Sequence, residues 1–289
     1  MLTSLLYHLG YRLSLILPIR VAYQLAQTLA ICYGKTQKSD WNAVQQNLRA
    51  ILGEDTQATQ LSSLTAQVYA NFGKYLVDVF SLEKMNRSFI QRRVLLHGIE
   101  MVDAALRQKR GVILLTAHLG TWELGAAVIS GLGYHLDAVV LQHRNVSVNR
   151  FFVRQRLKKG VRSIPIQYAL RESLVSLKQN HLVAIVGDRD YTNQGIQVNF
   201  LGRTVKLPKG MAYLALKSGA PVIPSFVVRE LDGRIRILLE QPLAVENLNM
   251  SDENIQVLTQ KGARAMEKQI RIYPTQWFVF RPFWDPIVQ

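Results

Sequence analysis

The chain has one cysteine, Cys32, in 289 residues, which excludes an internal disulfide. That spacing of cysteine is consistent with a reducing compartment, and Cys32 reads as a small apolar residue of a helix. No HExxH and no Cys–His cluster occurs, so none of the six histidines has zinc-ligand spacing. There is no Walker loop and no GxGxxG; Gly131-Leu132-Gly133 lacks the third glycine and follows a helix rather than a strand. There is no GxSxG, which argues against a serine acyl-enzyme and a soluble α/β-hydrolase. Internal repeats, low-complexity tracts and linkers rich in Pro, Gly or Ser are also missing, so no stretch demands a separate domain.

Acidic residues are scarce: 20 against 35 Lys and Arg, a formal charge of +15. Such a balance implies anionic partners: a membrane surface, an acidic carrier protein, a nucleotide or nucleic acid. None occurs before Asp40, although Arg12, Arg20, Lys35 and Lys38 punctuate that apolar, aromatic-rich stretch. A spanning helix needs roughly 20 apolar residues. Here His8, Arg12, Arg20, Gln24 and Gln27 interrupt, and Pro18 breaks the helix. The charges are not confined to the front and no small-residue cleavage site follows, so the segment does not read as a secretory signal. Residues 1–34 are therefore expected to form two short helices, one on each side of Pro18, lying in a membrane interface. The alternatives are amphipathic helices packed on the protein's own core, and a spanning anchor.

Residues 1–92 read as helical throughout, with apolar spacings such as Leu76, Val77, Val79 and Phe80. Residues 93–289 alternate strands with helices. The apolar runs Gly111–Thr116, Leu136–Gln142 and Leu182–Gly187 read as buried strands of a mostly parallel sheet. Hairpins are expected across Gly202 and across Asp232-Gly233, and a late helix over Asp252–Ile272. The expected fold is α/β: a mixed, mostly parallel central sheet flanked by helices, with an N-terminal helical membrane-associating segment, in one structural domain.

His118-Leu119-Gly120-Thr121-Trp122-Glu123 falls where the first of those strands hands over to a helix, a usual place for reactive groups in α/β folds. An imidazole titrating near neutrality can take a proton from a hydroxyl. A carboxylate on its other ring nitrogen fixes the tautomer. Five residues is too far round a continuous helix for His118 and Glu123 to share a face, so a loop must intervene, and Gly120 allows one. Taken alone, the pair is also compatible with a helix start bearing a satisfied His and a solvated Glu.

This block resembles the HX4D/E signature of the lysophospholipid acyltransferase superfamily, most closely the late acyltransferases of lipid A biosynthesis and the phosphatidylinositol-mannoside acyltransferases. The run-in His97-Gly98-Ile99-Glu100 with Lys109-Arg110-Gly111 is similar, as are Asn47-Leu48-Arg49 and Asn71–Phe80 upstream. Downstream, Gly187-Asp188-Arg189-Asp190, Phe200-Leu201-Gly202, Pro208-Lys209-Gly210, Gly219–Pro224 and Tyr273-Pro274-Thr275-Gln276-Trp277 follow in the family's order. Thr121 stands where Asn is frequent, and Arg281-Pro282-Phe283-Trp284 replaces a more basic ending. The resemblance implies a fatty acyl chain moved from acyl carrier protein or acyl-coenzyme A to a hydroxyl of a membrane lipid or glycolipid. It implies His118 as general base oriented by Glu123, no bound cofactor, and a place on the cytoplasmic face of the cytoplasmic membrane.

Two further groups are candidates for binding substrate. Gln142–Arg162 carries seven Lys and Arg and no acid, with Arg150, Arg154 and Lys158 at helical spacing. Arg144 and Arg154 are the expected phosphate grips, the others solvated surface. Asp188 and Asp190 follow an apolar run, where charges point into the site crevice. Asp190 has three readings: it orients His118, binds the acceptor, or pairs with Arg189. A basic membrane- or nucleic-acid-binding protein without catalysis is the competing class, but no recognition helix or stacking motif supports nucleic acid.

Overall fold

The structure, a computed structural model, describes residues 2–192, 194–245 and 249–284. The chain opens with α1 (Leu2–Ile16), α2 (Ile19–Thr36), α3 (Lys38–Leu52), α4 (Ala58–Phe80) and α5 (Arg87–Arg93). Pro18 stands between α1 and α2, as its missing N–H requires. Then come β1 (Val94–His97), α6 (Ile99–Leu106), β2 (Val112–Thr116), α7 (Trp122–Gly131), β3 (Leu136–Val140), α8 (Val146–Lys158) and β4 (Val161–Pro165). The remainder is α9 (Ala169–Lys178), β5 (Leu182–Val186), β6 (Ile196–Phe200), β7 (Arg203–Leu207), α10 (Gly210–Ser218), β8 (Val222–Arg229), β9 (Ile235–Leu239) and α11 (Asp252–Ile272).

Seven strands form one sheet in the order β1-β9-β8-β2-β5-β3-β4. Its pairings are parallel except β8 with β9, which turn back over Asp232-Gly233 with Gly233 at φ +83. The β6–β7 hairpin stands apart. The expected α/β architecture is thus present, with β2 wholly buried between helical layers. β1 and β4 were not distinguished in the sequence. Both are edge strands, so neither carries a long apolar run, and β4 includes Arg162 and Pro165, which an edge tolerates.

Alternation along β2 divides the core. Ile113 and Leu115 join Leu177, Ala212, Leu258 and Met266 on the face covered by α9, α10 and α11. Val112 and Leu114 join Val102, Leu124 and Val128 on the face covered by α6 and α7. A third cluster ties the N-terminal helices to the sheet domain: Val44, Leu48, Leu61 and Phe80 meet Val148, Phe151 and Phe152 of α8, and Phe278.

Helices α1 and α2 are split in character. Their inner faces pack on α4 so closely that a Cβ at Gly10 would lie 2.8 Å from Phe80, and one at Gly73 of α4 would lie 2.5 Å from the Ala26 carbonyl oxygen. Their outer faces leave Leu5, Leu6, Leu9, Ile16, Val21, Leu25, Leu29 and Tyr33 exposed. Burying such a side chain is worth about 1.5–3 kcal/mol, which this surface forgoes in water. Among the described residues no helix is long and apolar enough to cross a membrane.

Candidate active site

Register brings the central pair together. Parallel β2 and β5 align Thr116 with Val186, and two residues further along each chain stand His118 and Asp188. The carboxyl ends of both strands therefore deliver the imidazole and the carboxylate to the same point. His118 Nδ1 lies 2.7 Å from Asp188 Oδ1. Asp188 Oδ2 accepts the His118 backbone N–H at 3.1 Å and the Trp277 indole N–H at 2.8 Å.

Asp188 is 0% exposed. Burial alone would push its pKa up, but the charge and hydrogen bond of His118, the nearby Arg189 guanidinium and the Trp277 bond hold it at about 2. It is therefore ionised at neutral pH and can only accept. The proton between the pair therefore sits on Nδ1, and in the neutral tautomer this arrangement selects, the lone pair is on Nε2. The imidazole keeps 20% of its surface open and packs edge-on to Trp122, whose ring stacks on buried Tyr75 at 4.4 Å.

The turn after His118 is held by backbone bonds. Phe278 N–H donates to the His118 carbonyl, Gly120 N–H to Gln276 and Thr121 N–H to Val227, each at 2.8 Å. Gly120 has φ +63, and a Cβ there would fall 2.0 Å from the Val227 carbonyl oxygen. Only glycine meets both conditions. Helix α7 then begins without a side-chain cap, and the Thr121 hydroxyl is buried without a partner. The first amides of α7 thus have no side-chain acceptor.

Glu123 does not meet His118, which corrects the expectation that it orients the ring. It points to α8, where Arg156 grips it with both arms: Nε donates to Oε2 at 2.8 Å and Nη2 to Oε1. Both side chains are nearly buried, at 8% and 11% exposure. The reason is geometric. His118 stays on the β2–α7 turn, whereas Glu123 lies in the first turn of α7 on the side facing α8. Arg156, expected on the surface, belongs to the inward face of α8 with Val148, Phe151, Phe152 and Gln155.

Asp190 does not reach His118 or Arg189 either. It closes its own loop, accepting from Thr192 N–H at 2.9 Å, the Thr192 hydroxyl at 2.7 Å and Gly195 N–H at 2.6 Å. Arg144 and Arg154 are exposed, Arg144 before α8 and Arg154 along it, and neither bonds to His118 or Asp188. Arg150, Arg154 and Lys158 share the outer face of α8, with Lys158 paired to Glu83. Arg162 leaves the basic run to pair with Asp137 and Glu172. Among the described residues no three His, Cys, Asp or Glu side chains gather as metal ligands would. A wide surface groove of about 540 Å³ lies between the β6–β7 hairpin and α11, lined by Asn199, Arg264 and Arg271. None of the six expected site residues lines it, and Arg271 is paired with Glu267.

A mostly parallel α/β sheet with an imidazole–carboxylate pair at its carboxyl edge has the build of an α/β transferase or hydrolase. Comparison with known proteins gives the family: the chain belongs to the bacterial lipid A biosynthesis acyltransferases, whose family model matches residues 1–285. It is 26% identical over 247 residues to a phosphatidylinositol mannoside acyltransferase of Mycobacterium tuberculosis (strain CDC 1551 / Oshkosh), covering 83% of this chain and 76% of that protein. It is 21% identical over 260 residues to a lipid A biosynthesis acyltransferase of Haemophilus influenzae, covering 89% of this chain and 78% of that one. It is 25% identical over 177 residues to the lipid A biosynthesis palmitoleoyltransferase of Escherichia coli, covering 61% and 57% respectively. The chain is an O-acyltransferase acting on a lipid or glycolipid.

Proposed function

We propose that this chain moves a fatty acyl group from an acyl thioester, carried on acyl carrier protein or coenzyme A, to a hydroxyl of a membrane lipid or glycolipid. The observation that carries the mechanism is the His118–Asp188 pair, Nδ1 to Oδ1 at 2.7 Å, which leaves Nε2 as the ring nitrogen that faces the reaction. His118 Nε2 takes the hydroxyl proton as the oxygen attacks the thioester carbonyl carbon. Asp188 holds the tautomer and stabilises the imidazolium that forms. The carbonyl π electrons move to oxygen, and the amides at the start of α7, which have no side-chain cap, receive that charge. When the carbon–sulfur bond breaks, the thiolate leaves and recovers the proton from His118. No nucleophilic side chain and no bound cofactor enters these steps.

Glu123 acts through the architecture. Its bonds to Arg156 fasten the first turn of α7 to α8 and so hold the amide-bearing end of the helix beside His118. Arg144 and Arg154 attract the anionic partner from the exposed basic side of α8. The apolar outer faces of α1 and α2, flanked by Arg12, Arg20 and Lys35, lie in the interface on the cytoplasmic face of a membrane. The experiment is direct: purified protein is mixed with membrane lipid extract and acyl-coenzyme A or acyl carrier protein, and new esters are read by mass spectrometry. The reading expects an added acyl chain with wild type and none with His118→Ala.

A further inference from the structure

Arg189 helps keep Asp188 ionised through space, but its hydrogen-bond donors are left unused by the mechanism. It follows Asp188 directly, and its Nη2 donates to the Phe278 carbonyl at 2.9 Å while Phe278 N–H donates to the His118 carbonyl. The guanidinium therefore stands one peptide away from the catalytic turn. Its remaining contact is long, Nη1 to the Tyr191 hydroxyl at 3.4 Å, and its Nε is buried without an acceptor among the described residues. No carboxylate among the described residues pairs with it. Both oxygens of Asp188 are taken by His118 and Trp277, and both oxygens of Asp190 by its own loop.

A second cation, unpaired among the described residues, meets the ring of the same Tyr191. The Arg281 guanidinium lies over that ring, 5.8 Å from its centre, and makes no ion pair among the described residues. Its backbone is fixed, because Asn47 Nδ2 donates to the Val279 carbonyl at 3.0 Å and the Arg281 carbonyl at 2.9 Å. Both arginines are half-buried. Partly desolvated cations with open donors are costly unless an anion completes them. The exposed stripe of α8 differs in this respect, since water satisfies it.

We propose that Arg189 and Arg281, both in contact with Tyr191, form a subsite beside His118 that binds a phosphate group of the substrate. This rests on the acyl-transfer reading of the same site. A fork such as a guanidinium suits a tetrahedral anion in two places, and Arg189 is anchored by the same residue that holds His118. The phosphate therefore fixes the reacting group's distance from Nε2 and adds positive potential next to the developing oxyanion. The phosphate comes either from the donor's phosphopantetheine arm or from the acceptor's headgroup.

Binding separates these sources without depending on turnover. Full-length His118→Ala protein is titrated with 4′-phosphopantetheine against pantetheine, and with glycerol 3-phosphate against glycerol, in the presence and absence of Arg189→Ala or Arg281→Ala. The subsite predicts that one phosphorylated probe binds better than its unphosphorylated partner. Either arginine substitution should abolish that advantage, a loss of about 10- to 100-fold for a charge-assisted bond. Loss on the pantetheine arm assigns the donor, and loss on the glycerol arm assigns the acceptor. In the catalytically intact enzyme, Arg189→Lys should restore part of KM but not the full affinity, because a point charge replaces the fork. Thermal melts of each variant identify misfolding, and Arg281→Ala, whose side chain makes no hydrogen bond among the described residues, keeps the test open if Arg189→Ala unfolds. Equal binding of phosphorylated and unphosphorylated probes, or a phosphate advantage that survives both substitutions, overturns the subsite. Because these titrations need no acyl transfer, that outcome leaves the acyltransferase reading standing.

Discussion

Replacing Glu123 separates the structure's account from the one its sequence position suggests. If Glu123 oriented His118, Glu123→Ala would leave a folded protein with slow chemistry. The structure instead puts it in a two-armed bond with Arg156, with 8% and 11% of the side chains exposed. Removing one partner of such a pair strands the other charge in a desolvated place, which costs about 3–5 kcal/mol. For a chain of this size each kcal/mol lowers Tm by roughly 2 °C, so a fall of about 5–10 °C is expected. Replacing both partners with apolar residues of similar volume, Glu123→Met with Arg156→Met, should recover much of the loss, since no buried charge remains. The assays are thermal and urea unfolding of the single and double variants, alongside turnover at a temperature where each is folded. The account expects single variants that are unstable but retain a substantial share of activity when folded, and a double variant that regains stability. A Glu123→Ala protein with wild-type Tm and turnover reduced about 10²-fold or more would refute this role and restore the orienting one.

Asp188→Ala should lose turnover even where it is folded, by about 10²–10⁴-fold, because the imidazole loses its tautomer lock, measured by steady-state kinetics on protein whose fold is checked by circular dichroism. The Asp188 pKa of about 2 lies below the ordinary 3.8, so the group contributes stability above pH 4 that is lost as pH falls through 4 towards 2. That contribution is of order 2 kcal/mol, and acid unfolding of Asp188→Asn should lack it. Gly120→Ala should destabilise and inactivate together, since its Cβ would lie 2.0 Å from the Val227 carbonyl oxygen; melting and turnover measured on the same preparation check this. Replacing exposed Leu5, Leu9, Leu25 and Leu29 with Gln should release the protein from anionic vesicles in flotation assays without lowering Tm, because these side chains face outward. Vesicle binding that survives would move the membrane contact elsewhere, with the outer face of α8 the next surface to test.

The sheet was legible because its central strands are almost wholly apolar, as Val112–Thr116 and Leu182–Val186 are, and because Asp232-Gly233 imposes its own turn. The position of His118 at the strand-to-helix switch was legible. Its partner was not, because which acid meets the ring depends on the β2–β5 register, a tertiary fact that one-dimensional spacing does not carry. Once Thr116 is aligned with Val186, Asp188 follows at once. Arg156 had a readable signal: it continues the spacing Val148, Phe152 on the inward face of α8, and the charge run around it drew attention away from that periodicity. Trp277 lies far from His118 in sequence, and its bond to Asp188 depends on how the C-terminal segment folds back across the sheet edge. The N-terminal helices showed the limit of an either-or reading. One face packs on α4 while the other stays apolar and exposed, so the packed character the sequence offered accounts for one face and leaves the other open.

The central claim is that His118, held by Asp188, deprotonates the acceptor hydroxyl during acyl transfer. The most direct measurement follows a labelled acyl group from thioester to membrane lipid with purified wild-type, His118→Ala and Asp188→Ala proteins, each verified as folded. The account predicts a labelled ester with wild type and a rate lower by about 10²–10⁴-fold in both variants. An ester formed at the wild-type rate by folded His118→Ala or Asp188→Ala would contradict it.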